Sequence, residues 1–154
     1  MAAVENSTCW LLIEGAAAGR DADRDGFARI YAPVIRGYLG ARWRGAPLAG
    51  DIDDVVQEVF VECFRKDGVL ARVDPGRPGG FRAFLYGVVR NVALRWERRS
   101  AGKRGREPAA PVDPDDVPDD DITLSRAFDR AWTEGLLREA GRLRAGDGRQ
   151  KSGR

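Results

Sequence analysis

Apolar residues return every three or four positions along most of this chain, and that spacing predicts helices separated by short breakers. Trp10, Leu11 and Ile13 mark a first helix from Ser7 or Thr8 to about Gly19, with a hydroxyl cap at its start and Gly19 and Asp21 at its end. Phe27, Ile30, Tyr31, Val34, Ile35, Tyr38 and Leu39 mark a second, from about Asp25 to Trp43; Pro33 has no amide to bond to Arg29 and predicts a kink. "RGAPLAG" ends it. A third helix is expected from Asp51, as N-cap, to about Asp67, and a fourth from Gly80 to about Ser100. Strand-like alternation appears nowhere at length, so the fold class is all-α, with antiparallel neighbours across the short connections.

On a helical wheel the fourth segment divides in two. Phe81, Phe84, Leu85, Val88, Val89, Val92 and Trp96 gather on one side as core. Arg90, Asn91 and Arg98 point away beside the small Ala83 and Gly87, which leave room for a nucleic-acid backbone to approach. Arg95 and Arg99 fall near the edge of the stripe, late in the helix, where cations also favour the dipole. A basic helix end that is only solvated fits the same composition. The third segment is complementary: Ile52, Val55, Val56, Val59, Phe60 and Cys63 form a buried face, and Asp51, Asp54, Glu58 and Glu62 recur on the other. Adjacent carboxylates repel by a few tenths of a kcal/mol per pair, with only Arg65 offering local relief, so the stripe calls for a basic partner. Val61 is expected exposed beside Asp54 and Gln57, an apolar centre in a polar rim, as in a helix-binding hot spot.

Composition narrows the chemistry. With 154 residues and 43% hydrophobic content, the chain has room for one ordinary domain and a tail. It contains no histidine, which removes the commonest general base and most catalytic zinc sites, and "GRPGG" fits no phosphate-loop pattern. No enzyme and no cofactor are expected. Cys9 and Cys63 lack CxxC spacing, and no apolar run is long enough for a bilayer, so the expectation is a cytoplasmic protein with no membrane partner. The net charge of +2 hides a strong polarity. Gly76 to Arg106 holds nine Lys/Arg against one acid, Glu97, whereas Glu107 to Asp121 holds seven acids, four prolines and no base. That acidic run cannot be helix and reads as a flexible linker, with the added expectation that it folds back on the basic helix and weakens DNA binding.

Taken in order, "DIDDVVQEVF…FRAFLYGVVRNVALRWERR" resembles region 2 of a bacterial sigma-70 type factor, of the extracytoplasmic-function (ECF) group, over Ser7 to about Arg106. The resemblance implies a transcription initiation factor that docks on core RNA polymerase and recognises and melts the promoter −10 element. It implies that Asp54, Gln57 and Glu58 dock on the clamp of the polymerase largest subunit; Val61 joins them from the wheel. It implies that Arg90, Asn91, Arg95, Arg98 and Arg99 contact promoter DNA, mainly the non-template single strand, with Arg82 and Tyr86 as weaker candidates. The loop Gly68 to Gly80 would hold a base turned out of the stack, and an anti-sigma factor is admitted as a further partner.

The expected organisation is a region 2 domain of three to four main helices over 1–106, the acidic linker over 107–123, and one isolated C-terminal helix with a disordered tail over 124–154. Leu124, Phe128, Ala131, Trp132 and Leu136 share one face of that helix, which resembles the opening of region 4. The helix-turn-helix that reads the −35 element is not in the sequence. A truncated competitor for polymerase and a helical protein-interaction module are the alternatives. A metal enzyme using Asp113, Asp115 and Asp116 is disfavoured, because a proline-rich segment cannot hold ligands rigidly.

Overall fold

The apolar stripes form helices α1 (Ala2–Ala17), α2 (Asp21–Arg42), α3 (Ile52–Phe64), α4 (Gly80–Gly102) and α5 (Ile122–Lys151), with 3-10 turns at Pro47–Asp51 and Val69–Arg72. The computed structural model describes residues 2–76, 78–102 and 122–151. The acidic run 107–121, its expected fold-back and the Asp113, Asp115, Asp116 cluster lie outside the described residues.

Helix ends show which local signals acted. α1 begins at Ala2, so Ser7 and Thr8 lie within the helix rather than at its start. Its end is as expected: Gly19 has φ +90, its N–H bonds to the Ala16 carbonyl at 3.2 Å, and the Arg20 N–H reaches Gly15 at 3.0 Å, a Schellman closure that needs the left-handed residue. α2 starts at Asp21, where Asp21 and Asp23 favour the dipole, and is one helix through Pro33. Asp51 precedes α3 but makes no side-chain cap; it belongs to the 3-10 turn. α3 stops at Phe64 and the chain turns back tightly, since a Cβ on Gly68 would lie 2.6 Å from the Glu62 carbonyl and 2.7 Å from that of Arg65.

Phe27 sits at the centre of the core, with ring centroids of Tyr31 at 4.6 Å, Phe64 at 5.3 Å, Phe81 at 5.9 Å and Phe60 at 6.1 Å. The stripes of α3 and α4 thus meet on α2, each large side chain adding about 1.5–3 kcal/mol on burial. Arg24 closes two helix ends at once: its Nε donates to the Ala16 carbonyl at 3.0 Å and its Nη2 to that of Phe64 at 2.8 Å, satisfying orphan groups of α1 and α3.

The C-terminal helix is not isolated. α5 packs along α2. Phe128 is 1% exposed, between Tyr38 at 5.8 Å and Tyr86 at 5.2 Å, and Trp132 stacks on Tyr31 at 5.3 Å. The apolar face expected to lack a partner completes the same core. Two glycines permit the approach, since a Cβ on Gly37 would lie 2.9 Å from Ala131 and one on Gly135 2.9 Å from Val34. The helix continues to Lys151, past the point where a polar tail was expected.

Candidate nucleic-acid interface

α4 is partitioned along its length rather than between two faces. Every residue from Phe84 to Arg90 is buried, as are Val92, Ala93 and Leu94. Tyr86, 6% exposed, lies between Tyr38 at 5.5 Å and Phe128 at 5.2 Å, and Arg90, one turn later on the same side, is 5% exposed. The expectation that Arg90 points outward is therefore corrected, and Tyr86, the weaker candidate for DNA contact, is enclosed as well. The wheel assumed one buried face, whereas α2, α3 and α5 enclose the middle of α4 from several sides. Asn91, Arg95 and Arg98 are half-buried, and the open surface begins with Arg99 in the last turns. Arg82 is exposed near the other end and ion-paired with Asp129 of α5.

The acidic stripe of α3 finds its cations on α4. Arg95 Nη1 lies 3.1 Å from Glu62 Oε1, and Arg65 Nη2 lies 3.6 Å from Glu62 Oε2. Glu58 accepts from Trp96 Nε1 at 2.8 Å and pairs with Arg99 at 3.6 Å, the Arg99 guanidinium standing 5.6 Å over the Trp96 ring. The relief assigned to Arg65 alone is thus corrected: long-range partners outnumber the local one. Glu58 consequently faces α4 more than solvent, while Asp54, Gln57 and Val61 stay exposed, Val61 at 63%. On the inner side of α3, burial and then the Glu62 charge push the Cys63 thiol up to about 12, so it remains a protonated core group.

A second network fixes the root of the basic end. Arg42 donates from Nε and Nη2 to the two oxygens of Glu97 at 2.7 and 3.0 Å and from Nη1 to the Tyr38 hydroxyl at 2.9 Å, and Trp43 Nε1 reaches Glu97 at 3.0 Å. Glu97, the lone acid of the basic stretch, is therefore engaged inward, and the outer surface of those turns is left to arginine.

A family model for sigma-70 region 2 matches residues 27–103, half of the chain. The protein belongs to the sigma-70 region 2 family. That membership carries a sigma-factor role, in RNA polymerase binding and promoter −10 recognition. No curated protein and no solved structure matches the chain. Sigma-70 region 2 here comprises α2 from Phe27 onward with α3 and α4, while α1 and α5 lie outside the matched span. Among the described residues no helix is long and apolar enough to cross a membrane.

Sequence reasoning missed Glu62, Trp96 and Glu97 as members of the site. A lone acid within nine cations was the available signal for Glu97. For Glu62 the acidic stripe signalled a basic partner without naming it; for Trp96 no signal existed, because its bond to Glu58 joins residues more than thirty positions apart.

Proposed function

We propose that this sigma-70 region 2, of the extracytoplasmic-function kind, docks on the clamp of the polymerase largest subunit through Asp54, Gln57 and Val61 and holds the non-template −10 strand along the end of α4. Arg95, Arg98 and Arg99 meet its phosphates; Arg82 and Asn91 are secondary contacts, and Glu58 serves the two faces from between them. The observation that carries the reading is the adjacency of two unlike surfaces, a polar rim of Asp54 and Gln57 beside exposed Val61 on α3 and a cationic end on neighbouring α4, both inside the matched span.

No chemistry is required of the chain. Melting costs stacking and pairing energy, offset by trapping unpaired bases and by arginine contacts to the strand. A cavity of about 380 Å³ between α1 and the Gly68–Gly80 loop, lined by Trp10, Ile13, Leu70, Val73 and Pro75, supports the loop as the receiver of a turned-out base.

Copurification with core RNA polymerase tests the docking face. Asp54→Arg combined with Val61→Asp should reduce recovery at least tenfold, given about 2 kcal/mol for a hot-spot residue, with helix content unchanged since both side chains are exposed. Recovery equal to the wild type would remove this function.

A further inference from the structure

Each carboxylate between α3 and α4 has two partners of different kinds. Glu62 is held by Arg65, just past the end of α3, and by Arg95 from α4; Glu58 is held by the Trp96 N–H and by Arg99. The acids lie inside and the arginines outside, with side-chain exposures of 20% and 27% for Glu62 and Glu58 against 39%, 60% and 64% for Arg95, Arg99 and Arg65; Arg65 differs from the other two in lying off α4. A phosphate arriving from solvent therefore meets the arginines first.

We propose that this seam is an exchange device, in which Arg95 and Arg99 leave the carboxylates for nucleic-acid phosphates while Arg65 and Trp96 stay behind to keep Glu62 and Glu58 satisfied. The inference rests on the assignment of the α4 end to DNA and deepens it. The physical reason is the cost of stranding a half-buried carboxylate: with one partner only, releasing Arg95 would leave Glu62 uncompensated and oppose DNA binding. With Arg65 in place, release costs little. Arg65 is then a positioning residue that favours DNA binding without touching DNA, and Glu62 is the competitor that limits it.

The two roles predict opposite signs and a dependence of one on the other, read by anisotropy of a short fluorescein-labelled single-stranded DNA of mixed sequence with the full chain at low salt. Glu62→Gln should tighten binding about two- to fivefold, the range of a partly exposed ion pair, and steepen the salt slope by up to about 0.7 as one more phosphate is engaged. Arg65→Gln should weaken binding by a similar factor, and that loss should vanish in the Glu62→Gln background. An equal Arg65→Gln loss in both backgrounds would make Arg65 a bulk charge or a direct contact and overturn the exchange, as would unchanged affinity in Glu62→Gln. Absence of binding by the wild type as well would remove the DNA assignment together with the inference.

Discussion

Arg42 carries its charge into a nearly closed position, with 10% of the side chain exposed, because Glu97 and the Tyr38 hydroxyl meet its guanidinium. Burial acts to lower its pKa, but the Glu97 hydrogen bond, with Tyr38 beside it, more than reverses the effect, so the guanidinium stays charged. Removing one partner leaves the other charge buried, and that sets the size of the effect. Glu97→Ala should destabilise the fold by about 2–3 kcal/mol, at or below the lower end for a buried pair because Glu97 retains partial exposure. Urea unfolding should show a lower midpoint at unchanged slope, and Glu97→Gln, which keeps an acceptor, should lose less. A midpoint that does not move would mean that water replaces the carboxylate without cost and that the network does not secure the root of the basic end.

α5 raises a question of sign at the scale of the element. Gly135 lies within a helix, where exchange to Ala favours the isolated helix by about 0.5–1 kcal/mol. The docked helix has no room for that methyl: its Cβ would stand 2.9 Å from Val34, a core side chain 1% exposed that cannot move aside freely. Gly135→Ala should therefore raise the helix content of a 122–151 peptide by circular dichroism and, in the full chain, loosen α5 from α2. Faster amide exchange around Phe128 and Trp132 would report the loosening, and slower exchange there would show that α5 docks by helix propensity rather than by close approach. Docking also bears on the interface, because Phe128 covers Tyr86 and Asp129 holds Arg82.

Across the whole molecule, legibility followed the range of the physical cause. Long apolar stripes located α2 and α4 to within a few residues, since a helix that must bury one side repeats its demand every turn. Gly19 ended α1 as read, a local backbone requirement. What escaped was set by distant neighbours: Arg90 is buried because several helices surround α4, Glu58 and Glu62 are relieved across α4, and Phe128 and Trp132 advertise a face needing cover without naming α2 as the cover. The charge partners that decided these placements give a last test, in acid. Glu139 of α5 lies between Arg142 of its own helix at 3.1 Å and Arg29 of α2 at 3.1 Å. The Arg142 hydrogen bond, opposed by burial and aided by Arg29, holds its carboxyl below the ordinary range. A carboxyl depressed in the folded state contributes stability that is complete above its unfolded pKa and is lost as pH falls through the folded one. Only the Arg29 bond is broken when α5 leaves α2, since Arg142 travels with Glu139, so the effect on docking is smaller than the full shift. Amide protection of α5 should be flat from neutrality down to about pH 5 and fall below about pH 4, where carboxylates ordinarily protonate. Arg29→Gln should shrink that fall while lowering protection at neutral pH. If the acid response were the same with Arg29 replaced, Glu139 would be stabilising its own helix and not the contact with α2.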